Sequence, residues 1–300
     1  MALGSPTYLV LAGGLIALAA VGVATYAMHS HVASPDAISD DLGAANAPIV
    51  TADTPCVSVL SPGANAFVVN NGAAVHAPAC ILAVKSRAVP AAVLNTGTKI
   101  DTARLCIASD GITQNTRNLP SLSLDCPVAV PDTIKLSAPA DDACDDHPQS
   151  MGGTDITMEP GIYCGGMAFN AAASHVTFSP GVYVIKGGDW TVDGGAWSGN
   201  GVTFYFADAS KIQFNSGVSI DLRAPQAGPY RNLLMFEAPG LAPSPFIFND
   251  ARAMHLDGVV WLPSRDMTFN SGSKLDSGGL MMGVHALTLD QTDWTIAPLR

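Results

Sequence analysis

Glutamate and lysine are scarce in this chain. Its 300 residues include two glutamates, Glu159 and Glu237, and six lysines. Those residue types normally solubilise helices, so their shortage argues against a helical fold. Basic residues are also few: no Lys or Arg precedes Lys85, and the formal net charge is -11. That balance excludes the basic footprint of a nucleic-acid binder. It also leaves hydrophobic contact as the only route to a membrane, because anionic lipid heads repel a negative chain. No C-x-x-C pair occurs among the six cysteines, although zinc sites usually contain one. The chain has no G-x-S-x-G, no H-E-x-x-H and no phosphate-cradling glycine loop. The expectation is a protein that is not an enzyme, with no catalytic, cofactor-binding or metal-binding residue.

What is present points to short strands. Aspartate carries the acidity and favours turns. Gly, Pro, Asn and Ser punctuate stretches of Val, Ile, Thr and Phe. Segments such as VTFYF, KIQFN and SIDLR alternate or run apolar between turn residues, the pattern of strands.

Residues Tyr8 to Met28 form an uncharged run of 21 residues, long enough to cross a bilayer as a helix. Gly13, Gly14 and Gly22 suit a membrane helix, which packs through small residues. A cleaved signal peptide is the competing reading, but its basic n-region is missing. Residues 1–28 are therefore expected to be a transmembrane anchor or uncleaved signal. Residues 29–55 are polar and aperiodic and read as a flexible linker with roughly 30 Å of reach. His29 and His31 within it read as solvated rather than as ligands. The positive-inside rule has no Lys or Arg to act on near the helix. The cysteines orient it instead: Cys56, Cys80, Cys106, Cys126, Cys144 and Cys164 are even in number and read as disulfides formed outside the cytoplasm. The expected location is the inner membrane, with the C-terminal domain in the periplasm or further out on the envelope or cell surface.

The C-terminal half repeats. Pro160-Gly161-Ile162-Tyr163 recurs twenty residues later as Pro180-Gly181-Val182-Tyr183, and Gly201-Val202-Thr203-Phe204-Tyr205 follows twenty after that. Gly258-Val259-Val260-Trp261 and Gly279-Leu280-Met281-Met282 continue the series, and Phe214-Asn215-Ser216-Gly217 reappears as Phe269-Asn270-Ser271-Gly272. Periods of this size indicate solenoids. Residues 56–300 are expected to form a single-stranded, right-handed parallel β-helix. At about 4.8 Å per coil, roughly twelve coils would give a rod on the order of 55 Å long. The alternative is a β-sandwich, with strands spaced more closely. Cys106 and Cys126 are twenty residues apart, as are Cys144 and Cys164, and Cys56 and Cys80 are twenty-four apart. Residues one coil apart lie at disulfide distance, so neighbour pairing is expected. Sequence leaves other connectivities open.

Three sets of residues carry alternative chemistry. Asp141, Asp142, Asp145, Asp146 and His147 resemble the carboxylate-rich loops that bind calcium, set against a plain solvated loop around Cys144. Asp193, Asp221 and Asp257, with Arg223 or Arg252, could line up as in a polysaccharide-cleaving solenoid, set against ordinary turn aspartates and surface arginines. Trp190, Trp197, Trp261 and Trp294 offer sugar-stacking faces, set against core positions.

The run from Cys56 through Asn71-Gly72, Cys80 and Val84-Lys85-Ser86 resembles the middle of TadG-like proteins of Tad/Flp (tight adherence) pilus systems. PGIYCGGMAFN, SPGVYVIKGGDWTVDGGAWSGNGVTFYF and LRAPQAGPYRNLLMFE are similar to that family's C-terminal half. A basic stretch usual before the family's membrane helix is missing here. The resemblance implies a non-catalytic, envelope-anchored structural or interaction protein of pilus assembly, adhesion and biofilm formation. Its partners would be other pilus-assembly or envelope proteins, with membrane contact through the N-terminal helix. The competing class is a glycan-binding or polysaccharide-cleaving β-helix.

Overall fold

The computed structural model describes residues 53–300 apart from 118, 128–135, 141–142, 146–149, 152, 170–174 and 216. The chain divides into a unit spanning 1–42, which lies outside the described residues together with the expected anchor and most of the linker, and a unit spanning 43–300. Among the described residues no helix is formed, and none is long and apolar enough to cross a membrane.

The second unit is a parallel β-solenoid of about ten turns. One coil shows the plan. Met167–Phe169, His175–Phe178 and Gly181–Lys186 follow one another and form the first, second and third faces. Each pairs in parallel with its counterpart in the next coil: Trp190–Asp193, Ala196–Asn200 and Val202–Phe206. Every strand pairing among the described residues is parallel, which rules out the sandwich's antiparallel sheets. Strand alternation sorts the side chains. In Ser219–Arg223, Ile220 and Leu222 point inward and are buried, while Ser219, Asp221 and Arg223 are exposed.

Inward residues stack coil on coil. On the first face Phe169, Val192, Phe214, Phe248, Phe269 and Leu289 form one column. Phe214, Phe248 and Phe269 lie nearly parallel, with centroids 5.1 and 4.6 Å apart. Such rings contribute dispersion and quadrupole attraction beyond their buried area. The corner after this column carries a second, polar one. Asp193 pairs with Asn215, Asn249 with Asn270, and Asp290 with Asn70. Asn95 Nδ2 donates to Asn70 Oδ1 at 2.6 Å, and Asn115 Nδ2 donates to Asn95 Oδ1 at 2.9 Å. Stacked amides of this kind satisfy one another along a cross-strand ladder.

The coil is longer than the sequence motif. Pro-Gly-x-Tyr repeats at twenty, yet the pairing sets Tyr163 opposite Ile185 and Gly161 opposite Tyr183. The two tyrosines still stack at 6.0 Å, because both point inward. Elsewhere Phe204 pairs with Met235 and Phe214 with Phe248, a coil lengthened by the loop through Pro225 and Tyr230. Longer coils are the reason for about ten turns rather than the twelve expected.

Stacking order departs from chain order. Val57–Val59 lies between 282–284 and 82–84. Phe67–Asn70 lies between 287–290 and 92–94, and 74–76 pair with 293–295. The N-terminal coils therefore extend the stack beyond the C-terminal one. Cys126, whose N–H donates to Ile107 O, sits at that far end. Asp145, whose N–H donates to Ile162 O, sits at the opposite end. Residues 127–143 must join the two ends. Their extended reach of about 60 Å exceeds the roughly 45 Å that ten coils occupy. Leu136, midway, packs on the outer side of the third face.

That outer side is apolar. Ile162, Val184, Tyr205, Phe236 and Trp261 are successive register partners that point away from the interior. Val184, Tyr205, Phe236 and Trp261 are nonetheless buried, and Leu60, Leu136, Tyr230 and Leu299 pack against the row. The next position is Gly283, where a Cβ would overlap the Trp261 ring.

Three disulfides join neighbours in sequence: Cys56–Cys80, Cys106–Cys126 and Cys144–Cys164, with Cα separations of 5.5, 5.4 and 5.7 Å. Two of them fasten residues 126 and 144, at either end of the long connection, to a terminal coil.

Candidate functional site

The outer side of the second face has the opposite character. Its central row runs through the register partners Thr157, Thr177, Ser198, Asp221, His255, Asp276, Thr295, His76 and Asp101. Each is one coil, about 4.8 Å, from the next. Two i,i+2 pairs widen the row. Arg223 Nε donates to Asp221 Oδ1 at 3.1 Å, and His255 Nε2 lies 2.7 Å from Asp257 Oδ2. Arg223 and Asp257 are themselves register partners, so Asp221, Arg223, His255 and Asp257 form a two-by-two block. Beside it opens a groove of about 470 Å³, lined by Thr177, Phe178, Pro180, Ser198, Gly199, Asn200, Asp221 and Arg223.

Asp257 is held firmly. Its Oδ1 accepts from Ser277 Oγ, Gly278 N and Gly279 N at 3.1, 2.9 and 3.1 Å. Burial pushes its carboxyl up, but the hydrogen bond and charge of His255 and the bonds from Ser277 and Gly279 outweigh that and hold it below the ordinary value. Asp257 is therefore an anchor for the turn between the second and third faces, ionised at neutral pH. Asp221 has far fewer bonds and stays half exposed.

The other sequence candidates are dispersed. Asp193 belongs to the amide column at a different corner, where it accepts from Asn215 Nδ2 at 3.1 Å. Arg252 pairs with Asp250 at 3.0 Å beside Gly217, apart from the groove. Asp145 is exposed and its Oδ2 accepts from Ile162 N at 2.6 Å. Asp141, Asp142, Asp146 and His147 lie outside the described residues, as do His29 and His31. Among the described residues no group of three or more His, Cys, Asp or Glu could hold a metal ion. Trp190, Trp197 and Trp294 are inside the solenoid and Trp261 lies in the covered apolar row. None presents a ring face to solvent.

Two features went unread in the sequence. Every described histidine faces an aspartate: His76 with Asp101, His175 with Asp155, His255 with Asp257 and His285 with Asp266. His255-x-Asp257 and Asp221-x-Arg223 carried a usable signal, since residues two apart on a strand share a face. The second is a fully buried ion pair. Arg265 Nε donates to Glu237 Oε2 at 2.7 Å, and both side chains are essentially inaccessible. Arg265 also donates to the carbonyls of Asp208, Ala209 and Ser210 and to Ser244 Oγ, while Glu237 Oε1 accepts from Ser264 N. The network ties together the loop through Asp208 and the third-face strands. Glu237 is one of two glutamates and ends the apolar strand LLMFE, which was the only hint.

Comparison of the chain with family models, with curated proteins and with solved structures finds no match in any of the three.

Proposed function

We propose that the protein is a non-catalytic, envelope-anchored interaction scaffold that works with pilus-assembly or other envelope proteins in adhesion. The anchor is the apolar run at 8–28, with the solenoid in the periplasm or further out. The observation that carries the scaffold reading is how the acidic residues are used. Asp193, Asp208, Asp250, Asp257 and Asp145 each hold a turn, a neighbouring coil or an adjacent arginine. Side chains committed to such bonds are poorly placed to move protons. A solenoid also repeats outward rows that a partner can read along its length. Three disulfides suit an oxidising compartment. The coil is taken as right-handed, the sense of about 98% of crossovers between parallel strands.

The pilus assignment rests on the TadG-like resemblance of residues 55–300. Its test is gene deletion. Loss of surface attachment or pilus display, restored by a copy carrying Asp→Asn changes at Asp141, Asp142, Asp145 and Asp146, is the expected result. Intact attachment and piliation after deletion would remove the assignment. Depolymerisation of an acidic polysaccharide by the purified protein would replace it with the enzyme reading.

A further inference from the structure

We propose that the groove on the second face binds a neutral, hydroxyl-rich saccharide chain. The starting point is a contrast in hydrogen bonding. Along the amide column, Asn70, Asn95, Asn115 and Asn215 bond to one another or to Asp193. In the groove, Thr177, Ser198 and Asn200 make no side-chain hydrogen bond to another described residue. Among the described residues the Asp221 and Arg223 side chains bond only to each other. Five polar side chains thus converge on one concavity with unused donors and acceptors. A few convergent polar groups in a volume between about 300 and 1,000 Å³ are what small-ligand sites offer; this groove has about 470 Å³.

The chemistry of the lining selects the ligand class. Asp221 and Arg223 are about half exposed, at 54% and 48%, and their charges offset each other. An anion meets the Asp221 carboxylate and a cation meets the Arg223 guanidinium, so neither gains from the site as a whole. A pair of adjacent hydroxyls does gain: one donates to the free carboxylate oxygen while the other accepts from the guanidinium. Asn200, Ser198 and Thr177 supply more donors and acceptors, and the Pro180 ring supplies an apolar patch for sugar C–H groups. Beyond the groove the row continues through His255, Asp276 and Thr295. Its coil spacing is comparable to the length of one sugar unit, so a chain lying along the solenoid axis meets a polar side chain at each step.

The arrangement binds rather than cleaves. Glycosidic cleavage by the usual route needs two carboxylates flanking the bond, one of them free to act as base or nucleophile. Among the described residues Asp221 is the only carboxylate lining the groove, and the nearby Asp257 already accepts bonds from His255, Ser277, Gly278 and Gly279.

The test is calorimetric titration of the full chain, in a detergent without a sugar head group, with cellohexaose, maltohexaose and chitohexaose. Their disaccharides and glycerol serve as comparisons. At least one hexasaccharide should bind, more tightly than its disaccharide, with glycerol silent. Arg223→Ala and Asp221→Ala should each weaken that binding about ten-fold or more, as loss of a charged hydrogen bond does. Arg252→Ala, which removes a more exposed Asp-paired arginine outside the groove, should leave it unchanged. The thermal melts of all three variants should match the parent. Absence of binding by all three hexasaccharides overturns the proposal. So does binding that survives Arg223→Ala, falls equally with Arg252→Ala, or is matched by glycerol. Shortened products would overturn the binding-only role. None of these results bears on whether deletion impairs piliation, so the two readings fail separately.

Discussion

The second and third faces are built on the same coils, yet their outer sides are opposites. One shows Thr177, Ser198, Asp221, His255 and Asp276 in a row open to water. The other shows Val184, Tyr205, Phe236 and Trp261 in a row that is covered. Backbone pairing is parallel in both, and both back onto the same interior. The parallel ladder and inward columns therefore define the fold, while outward positions are free to differ. Burial on both sides gives the third face its near-continuous apolar strands, VTFYF and LLMFE. Burial on one side gives the second face strict alternation, as in SIDLR. This is the difference expected between doubly and singly covered sheet.

The largest way to break this contrast is at the buried end of the third face. Arg265→Ala leaves Glu237 buried without its partner, and losing one member of such a pair costs about 3–5 kcal/mol. Chemical denaturation should show that loss directly. Next is Trp261→Ala. An outward residue on an open face would be nearly neutral, whereas removing a covered indole costs about 3 kcal/mol; a loss well under 1 kcal/mol would show that the row is not sealed. Asn95→Ala, in the amide column, leaves Asn70 and Asn115 each short of one bond and should cost about 1 kcal/mol by the same measurement. Smallest is Ser198→Ala on the open row, expected within about 0.5 kcal/mol.

A pH titration sharpens the comparison differently. Asp208 and Asp257 have carboxyls held below the ordinary value. For Asp208, burial raises it, but bonds from Ser210 and Gly187 and the Arg265 charge prevail. A group depressed on folding contributes stability that is full above its unfolded value of about 3.9 and is lost as pH falls through the folded value. Melting temperature should therefore drop below about pH 4. Asp257→Asn should flatten that drop.

Sequence carried the coil and its polarity well. Short alternating segments and twenty-residue motifs were enough for a parallel solenoid, and cysteines about one coil apart marked residues that stack. The register was not legible, because Pro-Gly-x-Tyr marks a turn rather than a fixed place in the ladder; two extra residues in a corner leave the motif intact while shifting its partner to Ile185. The groove was half legible. Asp221 and Arg223 stood out, but grouping them with Asp193 treated turn and face positions as equivalent. Their true neighbours, Ser198 and Asn200 on one side and His255 on the other, follow only from the register. The covered third face was invisible because an outward apolar row has the same sequence as a buried strand.

The order of the stack bears on how the chain is made. Residues 53–126 are synthesised before the coil they seat on, 274–298. Val57 against Met282 and Phe67 against Leu287 are contacts between segments far apart in the chain. The complete stack therefore cannot be built coil by coil in the direction of synthesis. The first coils must wait as a separate piece, held in part by the Cys56–Cys80 and Cys106–Cys126 bonds, and dock once residues 274–298 have been made. Such end-to-end closure is slow, because loop entropy is lost before the distant contacts form. A chain truncated before residue 274 would leave two solenoid fragments with nothing to join them edge to edge.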